Sequence, residues 1–271
     1  MTERPAQETV VEFDRVTLRF EARVVLREIS FTLHRGETKI VLGAAGSGKS
    51  VLLKLTMGLW QPDSGRITVL GEEISHRGED ELFAVRQKIG MVFQEGALFD
   101  SLTIGENVGY VFERLPAVSP EEAERRAREA LRFVELEQTF DLYPSQLSGG
   151  MRRRVAIARA VVGQPELMLY DSPTAGLDPI TAARIMTLIV KQRDVGRVSS
   201  LLVTHRVQDA IQMARSYYDA RQEKLLPAGQ DGARRDTHTR FLVLREGEMV
   251  FHGSLEELAA QRDPYLQEFL A

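Results

Sequence analysis

The octapeptide GAAGSGKS occupies residues 43–50, directly after an apolar run that ends at Leu42. It matches the pattern G-x-x-x-x-G-K-[ST], with a predicted strand before it and the helix-like stretch KSVLLKLTMGLW after it. Glycines let the backbone curl so that consecutive N–H groups face inward, and such donors at a helix N-terminus hold polyphosphate anions. The stretch therefore predicts a loop that binds nucleotide phosphates.

Two side chains of this loop carry its chemistry. Lys49 can reach the β- and γ-phosphates as a point charge, and the Ser50 hydroxyl is placed to ligate Mg²⁺. The hydrophobic stretch LMLYD ends at Asp171, which can bring a carboxylate to the same ion directly or through water. The sequence thus predicts ATP and Mg²⁺ as ligands. The predicted loop contacts to ATP are Gly43, Ala44, Ala45, Gly46, Ser47, Gly48, Lys49, Ser50 and Val51.

Predicted strands and helices alternate over most of the chain. VVLREISFTLH alternates apolar and polar residues and indicates antiparallel pairing, whereas LMLYD and SSLLVTH are short buried strands separated by a helical stretch. This alternation predicts a mainly parallel sheet covered by helices on both faces. The helix signal is clear in SPEEAERRAREALRFVEL, where Ser119 is the predicted N-cap, Pro120 follows it, and Glu122 closes a predicted capping box.

Composition narrows the class of protein. The 271 residues carry a net charge of −4, which argues against a general nucleic-acid footprint. The absence of cysteine excludes a disulfide framework and a thiolate metal site. The polar start MTERPAQETV indicates no signal peptide, and no stretch approaches about 18 consecutive apolar residues. We therefore expect a cytoplasmic protein that reaches a membrane only through a partner.

The segment from residue 216 to residue 240 breaks the alternation. Its sequence, SYYDARQEKLLPAGQDGARRDTHTR, is polar and mixed in charge. We interpret it as a partly mobile surface insertion, with a specific partner contact as the alternative.

A second anion site is predicted at LSGGMRRRVAIARA. Ser148 would cap this helix, and Gly149 and Gly150 leave its first N–H groups open. An S-G-G pattern alone is weak. Its place between the phosphate loop and the strand ending at Asp171 makes it specific.

These motifs together resemble the ATP-binding subunit of an ABC transporter. The order is that family's order: phosphate loop, Q-loop Gln94, LSGG, aspartate strand, D-loop Asp178 and switch histidine His205. The resemblance implies a P-loop (RecA-like) α/β fold with a mainly parallel core sheet, an antiparallel β subdomain and an inserted α-helical subdomain. The expected divisions are 9–95 (core and β subdomain), 96–164 (helical), 165–215 (core), 216–240 (insertion) and 241–271 (C-terminal).

The resemblance also implies residue roles. Two subunits would pair head to tail, with Ser148–Gly150 of each facing the other's phosphate loop across ATP. Phe20 matches the aromatic residue that stacks on adenine. Gln94 would contact Mg²⁺ and the γ-phosphate and link the site to a membrane partner, and His205 would hydrogen-bond the γ-phosphate. The expected location is the cytoplasmic face of the inner membrane, beside an integral membrane permease.

One branch of the family is similar in more detail. FQEGALFDSLTIGENVGY, residues 93–110, and the tail DPYLQEFL resemble the Mla-type ATPases that work with Mce-domain lipid transporters. Ala97, Leu98 and Phe99 would offer an apolar groove to the coupling helix of the permease. Ordinary core packing is the alternative for this stretch, and other cargoes are the alternative to lipid.

The chain departs from the family at Ser172, where the family has a glutamate that activates the attacking water. General-base assistance contributes about 10²–10⁴-fold in rate, so ATP binding should survive while hydrolysis slows. Three explanations stay open at this point. The chain could be a weak ATPase that relies on His205 and Mg²⁺, Glu95 could substitute for the missing carboxylate, or the chain could be the regulatory half of a heterodimer.

Two functions from different classes therefore compete. The first is a transport ATPase bound to a permease, which the stretch from Ala97 to Phe99 favours. The second is a nucleotide switch that clamps on ATP without rapid turnover, which Ser172 favours. The presence of one cassette without a coiled-coil insertion argues against the soluble translation and DNA-repair members of the family.

Overall fold

The computed structural model describes residues 8–115, 117–228 and 238–269. The parallel strands of its central sheet are short and mostly apolar, as expected for a covered sheet. In chain order they are β1 (Thr9–Phe20), β2 (Arg23–His34), β3 (Thr38–Gly43), β4 (Ser64–Val69), β5 (Glu72–Glu73), β6 (Ile89–Val92), β7 (Leu167–Asp171), β8 (Ser199–Val203), β9 (Ser216–Asp219), β10 (Lys224–Pro227), β11 (Thr239–Arg245) and β12 (Glu248–Gly253).

Helices follow most of the core strands and cover the sheet. In chain order they are α1 (Lys49–Thr56), α2 (Glu79–Arg86), α3 (Ile104–Gly109), α4 (Pro120–Phe133), α5 (Gly149–Val161), α6 (Pro179–Gly196), α7 (Val207–Arg215), α8 (Leu255–Ala259) and α9 (Pro264–Gln267). Within the described ranges, no helix combines the length and the apolar character needed to cross a bilayer.

The central sheet has six strands in the spatial order β12–β11–β3–β8–β7–β6. All neighbours pair in parallel except β11 and β12, which are antiparallel. A second, four-stranded antiparallel sheet has the order β2–β1–β4–β5. These two sheets confirm the predicted fold class of a mainly parallel core with an antiparallel subdomain.

Two apolar cores pack on the opposite faces of the central sheet. Ile40 and Leu42 of β3 belong to the core under α5 and α6, whereas Val41 belongs to the core shared with α1 and the antiparallel sheet. Successive side chains of β3 enter different cores because they point to opposite faces of the sheet. Burial on both faces explains why these strands read as continuous apolar runs.

The parallel strands bring the predicted site residues to one edge of the sheet. The phosphate loop follows β3, Gln94 follows β6, Ser172 follows β7 and His205 follows β8. Ligands of open α/β sheets bind outside the carboxyl ends of the strands. The topology therefore places four separate motifs at the same edge.

The N-terminus of α4 differs from the prediction in one detail. Ser119 caps the helix by accepting a hydrogen bond from the Glu122 N–H at 3.2 Å, as predicted. In the predicted capping box the Glu122 carboxylate would also accept the Ser119 N–H. In the structure that carboxylate instead accepts from Arg125 and Arg126 at 2.6–2.8 Å. Two guanidinium donors outcompete the single backbone N–H of a capping box.

The segment predicted as an insertion is partly regular. Residues 216–227 form an antiparallel hairpin of β9 and β10, in which Tyr218 pairs with Leu225. Asp194 of α6 anchors the hairpin by accepting the Tyr218 N–H at 2.7 Å. The expected end at residue 240 is too late, because β11 of the central sheet already begins at Thr239. Residues 229–237 lie outside the described ranges, and the other domain boundaries stay predictions.

Candidate functional site

The phosphate loop joins β3 to α1 and depends on its glycines. Gly43 has φ +149°, and a Cβ there would lie 2.4 Å from the Leu244 carbonyl oxygen. Gly48 is the N-cap of α1 with φ +101°, and a Cβ there would lie 2.6 Å from the Leu26 side chain. Only glycine fits both the backbone conformation and the space at these two positions.

Lys49 is held by the loop's own backbone. Its Nζ donates to the carbonyl oxygens of Gly43 at 2.7 Å and Ala44 at 2.8 Å. Burial lowers the pKa of Lys49, and the nearby Asp171 carboxylate acts in the opposite direction. A desolvated ammonium whose two hydrogen-bond acceptors are neutral carbonyls gains from a further anion, which is the environment that a phosphate group supplies.

Ser47 carries an orphaned polar atom. Its side chain is 4% exposed, and its Oγ has no hydrogen-bond partner among the described residues. Buried hydroxyls without partners are rare in native proteins and call for an explanation. A loop that is completed by phosphate oxygens and their hydration accounts for this atom.

The two predicted metal ligands lie together. The Ser50 Oγ donates to Asp171 Oδ1 across 3.1 Å, although the residues are 121 positions apart in sequence. Among the described residues no group of three or more His, Cys, Asp or Glu could hold a metal ion. One carboxylate and one hydroxyl fit Mg²⁺, which is bound with substrate phosphates and water rather than in an all-protein cage.

An open cleft of about 260 Å³ runs along the loop. It is lined by Gly46, Gly48, Lys49, Ser50 and Val51 together with Arg23 and Val25. Phe20 pairs with Arg23 across the β1–β2 turn. The exposed Phe20 ring packs edge to face on Trp60, with 4.8 Å between ring centroids. Arg23 therefore lines the cleft beside the phosphate loop, and Phe20 is its neighbour across the β1–β2 turn.

Ser172 occupies a constrained position directly after Asp171. It is 7% exposed, its φ is +47°, and its N–H donates to the Val203 carbonyl at 2.8 Å. Arg153 of α5 donates to three carbonyl oxygens of the loop that Ser172 begins. These contacts are 3.4 Å to Ser172, 3.0 Å to Pro173 and 3.1 Å to Ala175.

Gln94 and Glu95 lie in an exposed turn after β6. The turn closes with the Gly96 N–H donating to the Phe93 carbonyl at 3.0 Å, and Arg159 fixes it from α5 by donating to the Gly96 carbonyl at 2.9 Å. Burial lowers the pKa of Arg153, and the Glu95 carboxylate partly offsets this by raising it. Glu95 therefore acts electrostatically on the arginine that clamps the Ser172 loop.

The predicted switch histidine lies beside a buried acid. His205 is exposed just beyond β8, and Asp209 of α7 is 3% exposed. Asp209 accepts hydrogen bonds from the hydroxyls of Thr174 and Thr204, and Arg206 lies 3.9 Å away. Burial raises the pKa of Asp209, while these partners lower it. Asp209 thus connects the loop after β7 to the loop that carries His205.

The LSGG motif lies at the start of α5. The Ser148 Oγ accepts the Met151 N–H at 3.3 Å, and the space beside Gly149 is open. Gly150 packs on Thr181 of α6, where a Cβ would lie 2.5 Å from the Thr181 methyl group. Within the described part of the chain, no hydrogen bond joins this motif to residues 43–51. The motif and the phosphate loop are therefore not connected by a hydrogen bond within the described ranges of this chain.

Asp178, the predicted D-loop residue, is the N-cap of α6. Its carboxylate accepts the N–H groups of Ile180 and Thr181, both at 3.0 Å. A hydrogen bond from the Thr181 side chain is the largest cause that lowers the pKa of Asp178, and the N–H groups of Thr181 and Ile180 lower it further. The cap places Thr181 against Gly150 and so connects the D-loop to the LSGG helix.

A cavity of about 510 Å³ opens between the Q-loop turn and the end of α2. Its lining includes Ala97, Phe99, Tyr110 and Arg159. The expectation that Leu98 faces this groove is wrong, because Leu98 packs against the main core. Ala97 has φ +49°, which reverses the alternation expected for an extended segment.

Sequence reasoning missed several side chains that shape the site. Arg153, Arg206 and Asp209 organise the loops after β7 and β8 through contacts that no motif signals. Arg23 follows Phe20 closely and could have been found as a cation near the predicted adenine contact. Tyr265 belongs to the tail segment DPYLQEFL, and nothing in that segment indicates that its hydroxyl contacts the phosphate loop.

The phosphate loop, the Ser50–Asp171 pair and the surrounding sheet define the class as an ATP-binding cassette ATPase. Residues 26–175 match the family described as ABC transporter. The chain belongs to the ABC transporter family as an ATP-binding subunit.

Known proteins place the chain within this family. A methionine import ATP-binding protein of Bifidobacterium longum is 36% identical over 270 residues, which cover 97% of this chain and 61% of that protein. The intermembrane phospholipid transport system ATP-binding protein MlaF of Escherichia coli K12 is 32% identical over 248 residues. The match covers 92% of this chain and 83% of that protein. The chain therefore spans about three fifths of the length of the methionine import protein.

A solved structure supports the same fold. It is a dimeric ATP-binding cassette in a post-hydrolysis state bound to ADP and Pi, with 31% identity and a TM-score of 0.75. The match covers 91% of this chain and 99% of that chain.

Proposed function

We propose that this chain binds Mg-ATP between two cassettes and uses it to drive phospholipid transport through a membrane permease. The observation that carries the proposal is the contact of Ser50 with Asp171 beside a loop that holds a buried, unpaired Ser47 hydroxyl. Bound Mg²⁺ would neutralise negative charge on the β- and γ-phosphate oxygens. Ser50, Asp171 and Gln94 are the residues proposed to hold it.

The other proposed roles follow the placement of the motifs at one sheet edge. Lys49 would exchange its backbone carbonyl contacts for phosphate oxygens, because charged acceptors bind an ammonium more strongly than neutral ones. Phe20, the ladder neighbour of the cleft residue Arg23, would support adenine. His205 would donate to the γ-phosphate from the end of β8, with Asp209 fixing its loop.

The second half of the site would come from a second cassette. Ser148 to Gly150 present open N–H groups at the start of α5 and are not joined to their own phosphate loop. A head-to-tail pair, either a homodimer or a heterodimer, would bring this helix terminus to the other subunit's nucleotide. The dimeric cassette with ADP and Pi is a precedent for such a pair.

Turnover would be slow because residue 172 carries no carboxylate. A serine hydroxyl does not take a proton from water at neutral pH, and general-base assistance contributes about 10²–10⁴-fold. His205 and bound Mg²⁺ would then support weak hydrolysis. Glu95 is the alternative base, and a catalytically competent partner cassette is the alternative source of turnover.

The proposed membrane partner docks in the groove lined by Ala97, Phe99 and Tyr110. An apolar groove of this kind accepts an amphipathic helix, which fits the short helix that a permease presents. The groove adjoins the turn that carries Gln94, so docking and nucleotide contacts would share one segment. This placement implies a location on the cytoplasmic face of the inner membrane.

The proposed cargo is phospholipid, with an Mce-type lipid-binding protein in the complex. Support comes from the phospholipid transport relative of E. coli and from the resemblance of two segments, residues 93–110 and the tail. The methionine import relative marks the competing possibility that cassettes of this kind serve other cargoes.

The test is steady-state Mg-ATP hydrolysis by the chain together with its membrane partner, with Lys49→Ala as the background. A rate above background supports the transport ATPase, and loss of that rate in Glu95→Gln would identify Glu95 as the base. A rate equal to background with ATP still bound supports the second candidate, a nucleotide switch or regulatory half, which Ser172 favours. Absence of ATP binding would overturn both.

A further inference from the structure

The C-terminal helix α9 touches the phosphate loop through one hydroxyl. Tyr265 Oη accepts the Ala44 N–H at 3.0 Å and donates to the Leu244 carbonyl at 2.6 Å. Leu244 pairs with Gly43 in the parallel ladder of β11 and β3. The hydroxyl therefore lies where the ladder ends and the phosphate loop leaves the sheet.

The same peptide unit is held from both sides. Its N–H, on Ala44, points to Tyr265, and its carbonyl, on Gly43, accepts the Lys49 ammonium at 2.7 Å. A chain of hydrogen bonds therefore runs from Leu244 through Tyr265 and the Gly43–Ala44 peptide to Lys49. Bonds in such a chain polarise one another, so loss of one weakens the next.

The tail holds Tyr265 rigidly. The Arg245 guanidinium lies 5.3 Å from the ring centroid, and the Phe269 ring packs edge to face at 5.2 Å. Asp263 accepts the Tyr265 N–H at 2.9 Å and pairs with Arg245 at 3.3 Å. Leu266, next along the helix, is buried in the main core. These contacts fix the hydroxyl within a half-buried pocket rather than leaving it on a free tail.

If the Tyr265 hydroxyl is removed, other groups of the phosphate loop are poorly placed to replace its hydrogen bonds. The Ser47 N–H is already used by the Ala44 carbonyl at 3.2 Å, and Gly43 lies tight against Leu244. A cavity of about 580 Å³ opens beside Ala44 to Ser47, with Tyr265 and Arg245 on its wall. Without the hydroxyl, the Gly43–Ala44 peptide could turn toward this space.

We propose that Tyr265 is a positioning residue, through which the C-terminal tail sets the conformation of the phosphate loop and the nucleotide affinity. The inference rests on the proposed function at the same site. Docked, the tail fixes the Gly43–Ala44 peptide where the phosphate loop begins. When the tail is undocked, the loop must be ordered as ATP binds, and this lowers the nucleotide affinity. A partner that displaces α9 would therefore act on ATP binding.

The test compares Tyr265→Phe with wild type in the full chain, with Tyr143→Phe as the matched control. Tyr143 is exposed in the helical part of the molecule. The removed hydroxyl made two hydrogen bonds, so we expect Mg-ATP binding by Tyr265→Phe to weaken about three- to tenfold. We also expect faster hydrogen exchange of the Ala44 amide than in the Tyr143→Phe control.

Reciprocity supplies a second readout. If the tail favours nucleotide, nucleotide must favour the docked tail by the same factor. Mg-ATP should therefore slow hydrogen exchange in residues 264–269 of wild type and have less effect in Tyr265→Phe. Unchanged nucleotide affinity together with unchanged Ala44 exchange in Tyr265→Phe would overturn the inference while leaving the proposed function intact. Failure of wild type to bind Mg-ATP would instead overturn the proposed function.

Discussion

The Ser50 hydroxyl and the Asp171 carboxylate meet across 3.1 Å at the end of two neighbouring structural units, the phosphate loop and β7. Each residue is positioned by its own secondary structure and not only by the hydrogen bond between them. Ser50 lies in the first turn of α1, and Asp171 ends a strand whose preceding residues are all buried. The fold therefore brings the two proposed Mg²⁺ ligands together before any ligand binds.

Substituting either member of this pair should uncouple Mg²⁺ from nucleotide binding. We expect Ser50→Ala and Asp171→Asn each to weaken Mg-ATP binding about ten- to hundredfold, the loss typical when a metal site is disturbed. Calorimetric titration with Mg-ATP measures this loss, and titration with ATP in EDTA is the control. An equal loss in EDTA would assign the pair to folding rather than to the metal.

A carboxylate at residue 172 should accelerate hydrolysis. The backbone there already has φ +47° with serine, so Ser172→Glu adds no new demand on the main chain. We expect the turnover number to rise by about 10²-fold, within the range of general-base assistance. Ser172→Ala is the control and should leave turnover within about twofold, because the hydroxyl is not a base at neutral pH. No gain in Ser172→Glu would indicate that a base already acts, with Glu95 the first residue to examine.

Local motifs predicted that Ser50 and Asp171 meet, because each motif encodes its own local structure. The pattern from Gly43 to Ser50 encodes its own turn, and the apolar run before Asp171 encodes a strand that must end at the same edge. Sequence could not place Tyr265 on Ala44, because the contact spans 221 positions and involves a backbone N–H. Nor could it orient Leu98, since Ala97 adopts a positive φ that reverses the side-chain alternation.

Asp209 should make stability depend on pH in a direction opposite to that of most carboxylates. Burial raises its pKa above the ordinary 3.8, so the folded chain holds this proton more tightly than the unfolded chain. The contribution of Asp209 to stability is therefore fully present below pH 3.8. The free energy of unfolding should fall as pH rises from there through the raised pKa, because the unfolded chain releases the proton first.

Asp209→Asn should remove that slope, as measured by chemical denaturation at a series of pH values. Asp219 is the matched control, because N–H donors of Gln222 and Arg221 lower its pKa. Its contribution is present above the unfolded pKa and lost on acidification, so Asp219→Asn should change the pH profile in the opposite sense. A profile of Asp209→Asn identical to wild type would contradict the burial argument.

The contact between Gly150 and Thr181 predicts a difference between two neighbouring glycines. A Cβ at Gly149 meets open space, whereas a Cβ at Gly150 would lie 2.5 Å from the Thr181 Cγ2. Alanine favours a helix over glycine by about 1 kcal/mol, so Gly149→Ala should raise the free energy of unfolding by up to that amount. Gly150→Ala has the same helix benefit but must displace Thr181, at a typical cost of about 1–3 kcal/mol.

Thr181→Ser removes only the methyl group in the way and so tests the cause directly. Combined with Gly150→Ala, it should recover at least about 0.5 kcal/mol relative to the sum of the single changes, as measured by denaturant unfolding. Simple additivity of the two substitutions would mean that the LSGG helix and the D-loop helix are not packed through this contact. The control combines Thr181→Ser with Gly149→Ala and should show no such recovery of unfolding free energy. Recovery in the Gly150→Ala double variant alone would establish that steric contact couples the start of α5 to the residues that Asp178 caps.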